Sequence, residues 1–132
     1  MLSQFSVRTN SRDAMVDVTD RVRGAITASG VRSGVCHVLV PHTTAGVTIN
    51  ESTDPGVVRD LLTYFDRIVP WESDWTHNEP NAAAHVKAAM VGSCATLAID
   101  DGKLLLGPWQ AIFFCEFDGP RERTIVVKVI AG

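Results

Sequence analysis

The chain lacks several of the features that usually indicate a function. It contains no apolar run near the ~20 residues that span a membrane, and no signal peptide opens it. Its net charge of -3 over 132 residues argues against binding nucleic acid through bulk positive charge. It has no internal repeat, low-complexity tract or linker. We therefore expect one soluble cytoplasmic domain over residues 1–132, with neither nucleic acid nor membrane as partner.

The common catalytic and metal-binding signatures are also missing. There is no glycine-rich phosphate loop, no nucleophile elbow, no dinucleotide fingerprint, and no HExxH or HxxxH spacing. The three cysteines, Cys36, Cys94 and Cys115, lie in strand-like apolar segments without CxxC spacing, and three thiols cannot all pair. They are predicted to be reduced and buried. Any metal site must therefore be assembled by folding from distant residues.

What the chain does contain is a mixture of strand-like and helical segments. Asp54-Pro55 predicts a helix start, and two further helices are predicted after Thr19 and from residues 78–80 to Gly92. The predicted strands come mostly in neighbouring pairs, which favours antiparallel hairpins and an α+β fold. Asp101-Gly102 and Asp118-Gly119-Pro120 are predicted as the turns of two of these hairpins. These strands cover residues 2–9, 14–18, 34–40, 47–51, 93–99, 103–106, 109–117 and 123–130.

The segment His42-Thr43-Thr44-Ala45-Gly46 is the strongest candidate for a functional site. It lies between two predicted strands, so a histidine and two hydroxyls are expected at the tip of a hairpin whose second arm ends at Asn50-Glu51. A turn requires none of these side chains except the glycine, whereas a ligand site can use all of them. His37, inside the first strand, is interpreted as a histidine on a sheet face.

A second group of polar residues surrounds the predicted third helix. Asn81 and His85 are four residues apart and share one helix face, while His77 precedes the helix start. These residues either decorate a solvated face or belong to a site. We predict that His42, His77 and His85 converge in one pocket and that His37 lies outside it.

Glu116 is unusual because its strand, 109–117, is apolar on both faces and so is predicted to be covered on both sides. A carboxylate in such a strand should not be buried without a partner. One alternative is a structural ion pair with Arg121 or Arg123. The other, slightly favoured from the sequence, is that Glu116 binds a metal or substrate group while the arginines hold phosphate or carboxylate.

Taken in order along the chain, these segments resemble the YjbQ-like proteins of the UPF0047 family. One departure is visible, since Pro108 stands where the family usually has threonine. The residues that carry the resemblance are His42-Thr43-Thr44-Ala45-Gly46, Asn50-Glu51, Asp54-Pro55, His77, Asn81, His85, Gly102 to Leu106, Gly107 to Gln110, Glu116 to Arg121, and Arg123.

The resemblance implies about seven mostly antiparallel strands in two packed sheets with about three helices, assembled as a homotrimer. It also implies a weak thiamine-phosphate synthase-type transferase activity on small phosphorylated substrates; a metal-dependent hydrolase or a non-catalytic module binding a small ligand or divalent metal is the alternative. The expected cofactor is Mg²⁺ or Zn²⁺. The expected residues are His42, Glu51 and His85 in catalysis, Thr43, Thr44, Asn50, Asn81, Gln110, Arg121 and Arg123 in substrate binding, and His42, His77, His85 and Glu116 on metal.

Overall fold

The computed structural model describes residues 1–132, which form eight strands and three helices. In chain order these are β1 Leu2–Arg8, β2 Ala14–Asp17, α1 Thr19–Ser29, β3 Gly34–Leu39, β4 Ala45–Glu51, α2 Pro55–Ile68, α3 Ala82–Val91, β5 Cys94–Asp100, β6 Lys103–Leu104, β7 Gln110–Glu116 and β8 Glu122–Ala131.

Two sheets contain all of the strands, and every pairing is antiparallel. One has five strands in the order β1-β8-β3-β5-β6, and the other has three in the order β2-β7-β4. The predicted α+β architecture with two sheets is thereby confirmed. One pair of consecutive strands, β5 and β6, forms a hairpin. Asp101 and Gly102 join these two strands with φ values of 50° and 74°, as a two-residue turn of this kind requires.

The two hairpins predicted around His42 and around residues 118–120 are wrong. β3 belongs to the five-stranded sheet and β4 to the three-stranded sheet, and β8 and β7 are separated in the same way. The segments that follow β3 and β7 therefore cross from one sheet to the other instead of reversing within one. These two crossings meet, because the backbone N–H of Phe117 donates to the carbonyl of Thr44 at 3.2 Å.

β7 is covered on both faces, as its sequence predicts. Ile112 and Phe114 join the main core between the two sheets and α1, whereas Phe113, Cys115 and Phe117 pack with Ala84 and Ala88 of α3. Small alanine side chains allow α3 to lie close to the smaller sheet, where its nearest backbone neighbour is β4. α3 is thus fixed to the smaller sheet.

Helix α2 begins as predicted, with the Asp54 side chain accepting a hydrogen bond from the Gly56 N–H at 2.8 Å and proline at the first helical position. It is amphipathic, yet none of its residues is buried, and Tyr64 and Ile68 are largely exposed. None of the three helices is both long and apolar enough to cross a membrane.

The three cysteines are unpaired, but the prediction that all are buried is only partly right. Cys36 and Cys115 are buried, and burial raises the pKa of their thiols to about 11 and about 12 respectively. Cys94 is exposed because it lies at the start of β5 on the outer face of the five-stranded sheet. Alternation alone did not show which face of that strand would be covered.

Candidate functional site

A polar cavity of about 730 Å³ opens where the two crossings between the sheets meet the N-terminal end of α3. The three histidines predicted to converge, His42, His77 and His85, all line it, and His37 does not. Of its 13 lining residues only one is hydrophobic, so it is suited to a polar ligand. The lining residues are Val40, Pro41, His42, Thr43, Thr44, His77, Glu79, Asn81, His85, Ser93, Asp118, Arg121 and Arg123.

His42 is held in one tautomer by the backbone of β8. The Thr124 N–H donates to Nε2 of His42 at 2.9 Å, so the proton of the neutral ring must be on Nδ1. Nδ1 has no protein partner and is not sealed from solvent. Burial, followed by the positive charge of Arg123, lowers the pKa of His42 and favours this neutral form. His42 is therefore a fixed hydrogen-bond donor toward the cavity.

A buried ion pair lies beneath the His42 segment. Glu116 is 0% exposed and accepts hydrogen bonds from Nε of Arg123 at 2.8 Å, from Nη2 of Arg123, and from the Thr9 hydroxyl at 2.7 Å. Arg123 in turn donates to the Thr44 hydroxyl at 2.8 Å. Burial alone raises the pKa of Glu116, but the hydrogen bonds from Arg123, Thr9 and the Asp118 N–H outweigh it and hold that pKa below its usual value.

This geometry corrects the placement favoured for Glu116. It is half of a structural ion pair instead of a metal or substrate ligand, because both of its oxygens are engaged by protein donors and neither reaches solvent. Arg123 reaches the cavity wall, but it is committed to Glu116 and Thr44 and is not free to clamp a substrate. The pair instead anchors the segment that carries His42.

Asn81 joins α3 to the second crossing. Its Nδ2 donates to Asp118 at 2.9 Å, and Asp118 also pairs with Nη2 of Arg121 at 3.0 Å. The Oδ1 atom of Asn81 is buried and has no hydrogen-bond partner. One turn along, the His85 ring meets the His77 ring edge to face, with centroids 5.0 Å apart. The helix itself begins at Ala82, later than the start predicted at 78–80.

Three residues expected in the site lie elsewhere. In the β4–β7 pairing, Ala45 is opposite Glu116 at the cavity end, whereas Glu51 is opposite Gln110 at the other end. Six residues of strand separate the two ends by about 20 Å, so Glu51, Asn50 and Gln110 are corrected to positions outside the cavity. Pro108 is beside Gln110, so the departure at that position does not touch the cavity either.

The expected metal centre is not assembled. No group of three or more histidine, cysteine, aspartate or glutamate side chains is arranged to hold a metal ion. His42 explains part of this, because Nε2 already accepts from Thr124 and Nδ1 carries the proton of the neutral ring. Glu116, the carboxylate expected on the metal, is buried, and two other carboxylates that could supply oxygens are also occupied or distant, since Asp54 caps α2 and Glu51 lies at the far end of β4.

Several lining residues were not singled out from the sequence. Ser93 and Glu79 flank α3, and Asp118 was interpreted only as part of a turn. The backbone of Thr124, which fixes His42, carries no side-chain signal at all. Only the meeting of the two crossings brings these positions together, and that meeting depends on strand pairing which local patterns do not specify.

Known relatives match the chain along nearly its full length. The model of the family described as "UPF0047 protein YjbQ-like" matches residues 3–132. A UPF0047 protein of Methanocaldococcus jannaschii is 47% identical, covering 98% of this chain and 94% of that protein. YugU of Bacillus subtilis, also a UPF0047 protein, is 45% identical, covering 98% and 99%.

Solved structures agree with this match. An uncharacterised conserved protein of the same family from Clostridium acetobutylicum superposes with a TM-score of 0.96 at 47% identity, covering 97% of this chain and 99% of that one. A YbjQ-like protein of unknown function from Sulfolobus solfataricus gives a TM-score of 0.96 at 35% identity, covering 100% and 97%.

These comparisons contradict the expected thiamine-phosphate synthase-type transferase activity. The relatives and solved structures are uncharacterised UPF0047 proteins or proteins of unknown function, and none supplies that reaction. The geometry agrees, because Glu116 and Glu51, the carboxylates expected in metal binding and catalysis, do not line the cavity. What the sequence match and the fold both establish is membership: the chain belongs to the YjbQ-like UPF0047 family.

Proposed function

We propose that this protein binds a small phosphorylated molecule in the cavity between His42, His77 and His85. The observation that carries the proposal is His42 itself, fixed with its Nδ1–H free while its other nitrogen is occupied by the backbone. Further uncommitted donors surround it, namely Nη1 of Arg121 and the hydroxyls of Thr43 and Ser93, none of which has a hydrogen-bond partner within the protein. Phosphate oxygens accept several such bonds at once.

The charges at the cavity wall are mostly paired and do not prevent an anion from binding. Asp118 is offset by Arg121, and Glu116 by Arg123. Glu79 is the remaining lining carboxylate; it is exposed and forms no ion pair, so it opposes an anion only through solvent-screened repulsion. The same donor set favours an anion over a divalent metal, because the Arg121 guanidinium and the protonated Nδ1 of His42 have no lone pair to offer a metal ion.

Titration with inorganic phosphate and methyl phosphate, followed by calorimetry, tests the proposal. Replacing the donor in His42→Ala should weaken methyl phosphate binding by about tenfold or more, because a hydrogen bond to a charged group contributes roughly 1.5–3 kcal/mol. His37→Ala is the matched control, since His37 lies on β3, bonds Thr96 of β5 and is outside the cavity. The His37→Ala variant should bind methyl phosphate with the affinity of the wild type.

Glu79→Gln should tighten binding by a few fold, because it removes a screened negative charge beside the ligand. Thermal melts confirm that each variant is folded before its affinity is compared. Equal affinities for the wild type and His42→Ala, or no phosphate binding by the wild type at millimolar concentration, would refute the proposal.

We also propose that three copies of the chain assemble in the cytoplasm. Support for assembly comes from α2, whose apolar residues Tyr64 and Ile68 are exposed although the helix is amphipathic. Support for the location comes from the three unpaired thiols, which suit a reducing compartment. Light scattering at micromolar concentration should report three times the 14.3 kDa chain mass, and a monomer would contradict the trimer.

A further inference from the structure

We propose that the ligand of the histidine cavity carries a flat apolar or aromatic ring, and that this ring binds in a second cavity beside Trp75. The inference rests on the proposed phosphate binding and specifies the rest of the molecule. The second cavity has a volume of about 290 Å³ and is lined by Trp75, Thr76, His77, Ala82, His85 and Val86.

The two cavities are adjacent and share part of their walls. His77 and His85 line both, and their rings are in edge-to-face contact with centroids 5.0 Å apart. A molecule whose phosphate is bound near His42 would extend into the second cavity across this pair of rings.

The chemistry of the second cavity differs from that of the first. Half of its six lining residues are hydrophobic, against one of 13 in the histidine cavity. The indole N–H of Trp75 donates to the carbonyl of Trp71 at 3.1 Å, so the polar atom of this ring is occupied and its orientation is fixed. The surface that Trp75 offers a ligand is thus carbon, which favours stacking or edge contact with another ring.

The remaining wall and the size of the cavity agree with a ring. Val86 is 37% exposed, so an apolar ligand group would cover surface that water now contacts. Ligand cavities usually begin at about 300 Å³. A cavity of about 290 Å³ therefore has room for one ring or two fused rings.

Paired probes separate the ring from the phosphate. Phenyl phosphate should bind the wild type about tenfold more tightly than methyl phosphate, because the phenyl group adds buried apolar carbon and a ring contact. In Trp75→Leu this advantage should fall to about twofold while methyl phosphate affinity stays the same. Trp109→Leu is the matched control, since Trp109 is 65% exposed and lines neither cavity.

A neutral probe distinguishes failure of this inference from failure of phosphate binding. Phenol, titrated while the methyl NMR signals of Val86 are followed, should shift them in the wild type and not in Trp75→Leu. If phosphate does not bind but phenol shifts Val86, the phosphate proposal fails and the ring site stands. If phenyl and methyl phosphate bind equally well, or phenol leaves Val86 unmoved, the ring site is refuted. Val86→Thr, which keeps the side-chain shape but replaces a methyl group with a hydroxyl, should reduce the phenyl advantage without altering the loop that carries Trp75.

Discussion

Glu116→Gln is the substitution for which the structure makes the sharpest prediction. Glutamine keeps the shape of the side chain but removes its charge and replaces one acceptor oxygen with a donating NH₂ group. The native carboxylate accepts from the Thr9 hydroxyl at 2.7 Å, from Arg123 and from the N–H groups of Phe117 and Asp118 at 3.1 and 3.0 Å. An amide in the same place cannot accept from all of these donors.

The size of the stability loss follows from the burial of Arg123, the partner of Glu116. Arg123 is 6% exposed, so loss of Glu116 leaves a guanidinium charge buried without a counter-ion. Breaking a buried pair in this way costs about 3–5 kcal/mol. Because small proteins have only about 5–15 kcal/mol of stability in total, the variant should lose about a fifth of it or more. In urea the unfolding midpoint should fall by about 2 M.

Urea unfolding followed by circular dichroism at one fixed protein concentration measures this loss. Glu122→Gln is the matched control, because it makes the same chemical change in a pair with Arg8 whose side chains are 73% and 60% exposed. An exposed pair contributes about 0–1 kcal/mol. If Glu116→Gln were no more destabilising than Glu122→Gln, the buried pair would not anchor the fold, and Glu116 would return to the candidate ligands.

Two other predictions concern pH and a close backbone contact. The pKa values of His42 and Glu116 are both lowered on folding. Each group therefore contributes stability that is present above its ordinary pKa, 6.5 for His42 and 4.5 for Glu116, and is lost as the pH falls below that value. Urea unfolding at a series of pH values should show two declines in stability, and His42→Gln should remove only the one at higher pH. Gly46→Ala should destabilise by about 1–3 kcal/mol in urea unfolding, because the added Cβ would lie 2.5 Å from the Gly92 carbonyl oxygen and β4 would have to shift. A urea midpoint equal to that of the wild type would contradict the rigid contact.

Local signals were enough to predict most of the elements. Asp54-Pro55 specified the start of α2, Asp101-Gly102 specified the one true hairpin, and the two apolar faces of β7 specified its central position. Each of these depends on residues close together in sequence. The pairing of strands does not, because alternation identifies a strand but not its partner. The two hairpins were predicted wrongly because each strand was assumed to pair with its neighbour in the sequence.

The site residues were likewise predicted correctly in part. That His42, His77 and His85 would share a pocket was predicted, and they line one cavity. The misplaced residues, Glu51 among them, were assigned by motif membership, which gives no distance along a strand. The role of Glu116 depended on whether Arg123 would face it inside the fold. That required knowing that β7 and β8 diverge into different sheets and yet leave their connecting ends together.

The position of β8 has a consequence for how the molecule is built. This strand lies between β1 and β3, and it pairs Leu2 with Lys128, a contact between residues far apart in the chain. A chain in which only residues 1–121 have folded would leave β1 and β3 with open edges, which are templates for aggregation. Folding should accordingly be slow, because the entropy of bringing distant strands together is lost before their contacts stabilise the fold. Insertion of β8 between β1 and β3 also brings in Arg123 and the backbone N–H that orients His42. The cavity is therefore complete only once β8 has paired.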